Sequence, residues 1–258
     1  MRLNKLLITL AIVFPILFGS GVVVASSLDE GKAALNNGDY ATAVELLLPL
    51  AMQGNGDAQY QLGYMYASGK GVKRSKQKKL EWYERAAESG YVSAFLATGR
   101  AYNHLAKESS INGPTPESDV YYKQAFKWYS KAGDAGYAAG LNGLAGLYRG
   151  GFGVKRNKHL SMAYYTDAAK LGDHYSQFTL ATMLAYDYKN SGNILDLEQS
   201  YKWFKIHAFY DIEGNDTYTS DSFTRAQRYR VFKQLNQNQV YRITWEAIDC
   251  VESNFKNC

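Results

Sequence analysis

From residue 51 onward the apolar positions of this chain recur with the period of a helix, and then recur again as whole blocks. Ala58, Leu62, Met65 and Tyr66 stand at i, i+4, i+7 and i+8, one face of a helix. The same offsets hold Ala94, Thr98, Ala101 and Tyr102, then Gly140, Leu144, Leu147 and Tyr148, then Ser176, Leu180, Met183 and Leu184. The first of each four is small, which lets a neighbouring helix approach closely. A second element follows in each block. Trp82-Tyr83-Glu84-Arg85-Ala86-Ala87 is echoed by Trp128-Tyr129-Ser130-Lys131-Ala132-Gly133, by Tyr164-Tyr165-Thr166-Asp167-Ala168-Ala169 and, more weakly, by Trp203-Phe204-Lys205-Ile206-His207-Ala208. These anchors lie 46, 36 and 39 residues apart. Gly90, Gly136 and Gly172 follow the first three at one distance, Gly54 holds that place a unit earlier, and Asp211 replaces it in the last. Self-similarity at such a period marks a repeat array.

Two blocks carry one turn: Gly69-Lys70-Gly71-Val72-Lys73-Arg74 and Gly151-Phe152-Gly153-Val154-Lys155-Arg156. Paired glycines past a helix supply left-handed backbone and allow a tight reversal. Ser75, Asn157 and Asp196 each precede the aromatic anchor by seven residues, where a side-chain oxygen can cap the second helix. Each block therefore reads as helix, turn, helix. The second block lacks the glycine turn, and its ten extra residues fall between Tyr102 and Tyr122, around residues 112–116, as either a binding loop or a tolerated insertion.

This pattern resembles the Sel-one-like repeat family, relatives of the tetratricopeptide repeat, over about residues 51–211, with Ala58 through Gly90 matching closely. Ser75 and Asn157 replace the family's usual acidic cap. The resemblance implies an all-α fold, a right-handed α/α superhelix (solenoid) of helix pairs. Residues 26–54, with Gly31 to Tyr40 and then Ala43, read as a tetratricopeptide-like N-terminal pair. Residues 55–212 form the solenoid. Residues 213–258 form a helical cap, with helices near 223–235 and 237–254 and a capping box from Asn236 to Gln239. Arrays of this kind need ends that cover the last repeat.

The N-terminus has a different character. Arg2 and Lys5 precede an apolar stretch over residues 6–18, then Val23-Val24-Ala25 offers small residues for cleavage, and no acid occurs before Asp29. Residues 1–25 read as a secretory signal peptide cut after Ala25. An uncleaved anchor is the alternative, since residues 6–25 match the ~20 needed to span a bilayer. No later segment is apolar enough to cross a membrane. The 258 residues include 46 % apolar and 21 % charged side chains, enough for a core and against general disorder. Removal of Arg2 and Lys5 from 29 basic residues leaves 27 against 24 acidic ones, too mild an excess to imply nucleic acid. Cys250 and Cys258 are the two thiols. In an oxidising compartment they should pair. A continuous helix would hold them ~12 Å apart against a limit of about 7 Å, so the chain must turn back near Asn254.

Catalytic chemistry finds no support. His104, His159, His174 and His207 fall in different blocks without metal-ligand spacing, so neither a metal nor another cofactor is expected. The stretch from Gly63 to Lys70 misses phosphate-loop spacing, no nucleophile elbow occurs, and the carboxylates are scattered. Lys70, Lys73, Arg74, Lys76, Lys78 and Lys79 form a basic run that either docks an anionic partner or is merely solvated; Lys155, Arg156 and Lys158 repeat it. Among 22 tyrosines, Tyr66, Tyr83, Tyr102, Tyr129, Tyr148 and Tyr165 take packing positions. Tyr60, Gln61, Tyr64, Arg100, Asn142 and Gln177 fall off that face, on the first helices that line the concave side of a stacked array. Asn215-Asp216-Thr217 is a glycosylation sequon.

The expected function is an exported, non-enzymatic scaffold that binds another envelope or secreted protein in its concave groove. The family resemblance implies adaptor roles in secretion, envelope assembly or signalling, often in the periplasm of Gram-negative bacteria. A module for cell-wall glycan or anionic polysaccharide is the alternative, and a hydrolase or thiol enzyme the third reading.

Overall fold

The computed structural model describes residues 20–209 and 222–258. Most of the expected leader, the Asn215 sequon and most of the polar loop after Gly214 lie outside the described residues. Among those described, twelve helices follow one another: α1 (Ser20–Asn37), α2 (Tyr40–Met52), α3 (Gly56–Ser68), α4 (Lys76–Glu88), α5 (Val92–Ser109) and α6 (Pro116–Asp134). Then come α7 (Ala138–Gly150), α8 (Lys158–Lys170), α9 (His174–Ser191), α10 (Ile194–Phe209), α11 (Ser222–Phe232) and α12 (Gln237–Glu252). Each packs chiefly on its neighbours in sequence, and α11 and α12 both close on α10. The fold is a solenoid of helix pairs. Its first helix begins at Ser20, upstream of the boundary expected at residue 26, because the helical backbone runs on through Ala25.

The core is correspondingly divided along the axis. Leu35, Leu47, Leu62, Met65 and Trp82 fill the N-terminal part. Tyr102, Tyr122, Trp128, Tyr129, Leu144 and Leu147 fill the middle. Tyr165, Leu180, Leu197, Trp203, Phe204, Ile243 and Cys250 fill the C-terminal part. Ala58, Ala94, Gly140 and Ser176, the small leading positions, are all buried. Helices are then sewn together by buried donors: Thr98 Oγ1 to the Tyr83 carbonyl at 3.0 Å, Ser161 Oγ to Ala145 at 2.9 Å, and Ser200 Oγ to Ala181 at 2.7 Å. Such bonds satisfy buried hydroxyls that water cannot reach.

The aromatic anchors need a matching absence on the facing helix. A Cβ at Gly63 would lie 2.4 Å from the Tyr83 ring, and one at Gly99 would lie 2.7 Å from Tyr129. The glycine turns serve a second close approach. Gly71 and Gly153 have φ +68° and +66°, and a side chain there would strike Tyr40 or Tyr122 of the preceding unit. The turn is thus both left-handed and seated on its neighbour.

Ser75 and Asn157 cap α4 and α8 by accepting from Lys78 N and Leu160 N. Asp196 does not cap α10. That helix starts at Ile194, Asn193 accepts from Leu195 N, and Asp196 lies in the first turn, because α9 ends at left-handed Gly192 only two residues earlier. The insertion around residues 112–116 also resolves differently from a long loop. Its residues lengthen both helices, α5 to 18 and α6 to 19 residues against 13 for α3 and α4. Thr115 and Ser118 form a capping box around Pro116, which leaves a short connection.

At the far end, α11 stops at Phe232 and α12 at Glu252, each short of the expected end. Asn236 and Gln239 form the capping box. Asn254 and Phe255 take φ of +53° and +65°, the chain reverses there, and Cys250 and Cys258 join in a disulfide with Cα atoms 4.8 Å apart. Glu198 of α10 holds α12 by accepting from Arg242 at 2.7 Å and from Gln239 at 2.8 Å. The Arg242 hydrogen bond keeps this carboxyl below the usual glutamate range, outweighing the opposite effect of burial.

Two outcomes follow. Gly99→Ala should lower the stability to unfolding by about 1–2 kcal/mol net, overpacking outweighing the roughly 1 kcal/mol that alanine gains in a helix; denaturant titration measures it, and an unchanged midpoint refutes the seat. A folded pKa lowered below the unfolded one gives stability that is present above the unfolded value and lost as pH falls through the folded value. Hydrogen-exchange protection of α12 should therefore decline as pH drops below the ordinary glutamate value of 4.5. Glu198→Gln should remove that acid dependence, and a variant that retained it would refute the coupling.

Candidate functional site

The six residues expected to line the concave face part company once packed. Tyr64 and Arg100 hold the same register on α3 and α5, two residues before Tyr66 and Tyr102, and both are exposed, Tyr64 by 39 %. Gln61 is half-buried and donates to Asp57 at 3.0 Å. Tyr60 is half-buried, with its ring 5.4 Å from both Tyr83 and Tyr91. Asn142 joins α7 to the next unit by donating to Asp173 Oδ1 and Ser176 Oγ, each at 2.8 Å.

Gln177 corrects the sequence reading outright. It is 0 % exposed, and its Nε2 donates to the Ala169 carbonyl at 3.2 Å. Gln59 does the same one helix pair after α1–α2, donating to Ala51 at 3.0 Å. Both glutamines stand next to the small leading position, Ala58 or Ser176, and both reach eight residues back across the turn into the last turn of the previous helix. The shared offset was visible in the sequence, but the polarity of glutamine concealed a packing role. Neither side chain is available to a partner.

The basic run is likewise divided. Lys76, the first residue of α4, pairs with Glu108 of α5 at 2.5 Å, and Lys158, the first residue of α8, pairs with Asp187 of α9. Equivalent turns thus tie each short unit to the longer one after it. Lys70 Nζ donates to Tyr64 Oη at 2.9 Å and lies over the Tyr40 and Tyr64 rings, 5.3 and 5.1 Å from their centroids. Lys78 lies 5.1 Å from the Tyr66 centroid. Lys79 is half-buried, and desolvation, with Lys76 and Arg74 nearby, pushes its pKa down. Lys73 and Arg74 stay exposed, as do Lys155 and Arg156. Four of the six therefore belong to the architecture, and no continuous patch of six free cations exists.

Tyr83, Tyr102, Tyr129 and Tyr165 are buried as expected, while Tyr66 and Tyr148 are half-buried. Burial pushes the Tyr129 and Tyr165 phenols up to about 12, with Arg100 and Arg149 acting in the opposite direction. Both stay neutral at physiological pH. Arg149, which the sequence reading passed over, stands 5.7 Å from the Tyr165 centroid and is exposed. His174 and His207, far apart in sequence, come together edge to face at 6.2 Å. No cluster of three or more His, Cys, Asp or Glu side chains capable of holding a metal occurs among the described residues. No helix among them is long and apolar enough to cross a membrane.

With this geometry in place, likeness to known proteins is specific about the repeat. A family profile described as Sel1 repeat matches residues 56–91, 100–137 and 138–173. An uncharacterised protein of Neisseria meningitidis serogroup B is 24 % identical over 155 residues, 52 % of this chain and 33 % of that protein. A protective antigen of uropathogenic Escherichia coli strains, displaying an SLR fold, superposes with TM-score 0.68 at 24 % identity, over 90 % of this chain and 47 % of its own. A Sel1 repeat protein from Oxalobacter formigenes gives TM-score 0.56 at 20 % identity, over 90 % of each chain. The chain spans about a third of the curated relative and about half of the E. coli antigen. At these identities the structural likeness speaks for the fold.

The split between structural and exposed positions is measurable. Gln177→Ala should cost about 2–4 kcal/mol, since it opens a cavity in the packed layer and removes a buried hydrogen bond. Tyr64→Ala should stay within about 1 kcal/mol, as exposed positions do. Paired denaturation curves of the two variants check both, and equal losses would return Gln177 to the surface set.

Proposed function

We propose that this chain, which carries three Sel1 repeats of the kind that generally mediate protein–protein interaction in non-enzymatic scaffolds, serves as an exported adaptor in the cell envelope. Its first helices, α3, α5, α7 and α9, line a concave groove that receives an extended segment or a face of another exported protein. One observation carries this reading. Neighbouring first helices present Tyr64 and Arg100 at a single register to solvent, while the equivalent packing positions around them are filled. Tyrosine and arginine are the side chains that most often anchor interfaces, because they bury large area at small entropic cost.

Export belongs to the same proposal. A basic start, an apolar stretch and Val23-Val24-Ala25 support a cleaved leader. The Cys250–Cys258 bridge fits an oxidising compartment. The acidic-polysaccharide alternative drew on the lysine run, and it loses ground where Lys70 and Lys76 are already engaged within the fold.

A photocrosslinking side chain placed at residue 64 or 100 tests the groove in the native envelope. Both positions should give one dominant protein adduct. The same group at Val120, exposed on a second helix, should not. Adducts of equal yield from residue 120 would refute the groove. Mass analysis of the recovered chain should show Ser26 as its first residue, and retention of Met1 would refute cleavage.

A further inference from the structure

The helices assigned to the groove sort their charges in one direction. In α3, α5, α7 and α9 the acidic residues are Asp57, Glu108 and Asp187. Each is held by a lysine from outside that layer: Lys32 at 2.7 Å, Lys76 at 2.5 Å, and Lys158. The same four helices carry Arg100, Lys107, Arg149 and Lys189, all exposed, and none of these has a carboxylate partner among the described residues. Every acid of the layer is spent on the scaffold. Every lysine and arginine of the layer is left over.

The two arginines are also well placed to act together. Arg100 lies near Tyr129 and Arg149 near Tyr165, and both phenols are buried and neutral, so neither offsets a guanidinium charge. Tyr64 and Tyr186 add exposed aromatic surface on α3 and α9, Tyr186 at 64 %. Adjacent first helices stand on the order of 10 Å apart, and Arg149 sits three positions further along its helix than Arg100, about 4.5 Å. The two backbone positions are thus offset by roughly 11 Å, the span of about three residues of extended chain at ~3.4 Å each.

We propose that the groove takes an acidic, extended polypeptide segment, with carboxylates about three residues apart paired to Arg100 and Arg149. The proposal rests on the groove reading above and names the chemistry of its occupant. Arginine suits this partner because its planar fork meets a carboxylate in two parallel hydrogen bonds. The unpaired positive field also speeds and orients the encounter. Lys107 and Lys189 extend the same sign along the layer.

The test uses the full chain and fluorescein-labelled 16-residue peptides, one with Glu at every third position and one with Gln in its place. Anisotropy titration at 0.15 M salt should show the Glu peptide binding at least about tenfold tighter. Arg100→Gln and Arg149→Gln should each weaken it about 5- to 20-fold. Arg100→Lys should restore part of the loss, and the turn double variant Lys73→Gln/Arg74→Gln should stay within about twofold. Equal affinity for the Gln peptide overturns the proposal, as does an equal loss from the turn variant. Polygalacturonate that binds tighter than the Glu peptide, with the same arginine dependence, makes the occupant a glycan and also overturns it. Hydrogen exchange separates this failure from failure of the groove. A peptide that protects α3–α9 regardless of its charge keeps the groove and removes the acidic partner. Protection confined to other helices removes both.

Discussion

An aromatic ring laid into the gap where a side chain is missing holds this array together. Tyr83 occupies the space above Gly63, and Tyr129 lies between Gly99 of its own unit and Gly143 of the next. In the third and fourth units Ala145 and Ala181 take the same register and share a cluster with Tyr165 and Phe204. Each ring removes roughly 150–250 Å² from water, and the missing Cβ lets two helices close to contact distance. Because Tyr129 touches glycines in two units, the contact that builds a unit also joins it to its neighbour. A lone helix pair has no second seat to offer, so stability belongs to the stack.

That close packing governs how polar groups are distributed. Polar side chains caught between layers must find partners there, and Gln59, Gln177, Thr98, Ser161 and Ser200 each donate to a carbonyl of the preceding helix. Ion pairs then work between units. The lysines that open α4 and α8 reach acids on the longer first helices after them, α5 and α9. The array consequently alternates short and long units, 13-residue first helices in α3 and α7 and 18-residue ones in α5 and α9. Using all acids of the first-helix layer in this way is what leaves that layer with an uncompensated positive charge.

The fate of individual site residues shows where reading the sequence succeeds. The exposure of Tyr64 and Arg100 was legible because they fall two positions from a packing residue on a helix whose period is plain. Gln177 was misread for a definite reason. Gln59 shares its register, but a polar side chain reads as surface, and its partner is a carbonyl eight residues back on another helix. Lys76 and Lys158 look like solvated charge in isolation, and become clamps once Glu108 and Asp187 stand opposite. The insertion after Tyr102 was counted correctly, yet its residues extended two helices because Thr115 and Pro116 offer a strong N-terminal cap.

The chain's own order of residues determined the repeat, the helix pairs, the glycine turns, and most of the caps, including Ser75, Asn157 and the Asn236–Gln239 box. These depend on backbone requirements satisfied within a few residues, so local spacing specifies them. Only the tertiary structure decided which polar side chains remain free. Asn142, Gln177, Lys76 and Lys158 were all consumed by partners between 8 and 34 residues away. A hydrogen bond or ion pair across that separation exists only after the helices have stacked, and the stacking distance is set by small residues and aromatic rings elsewhere in the chain.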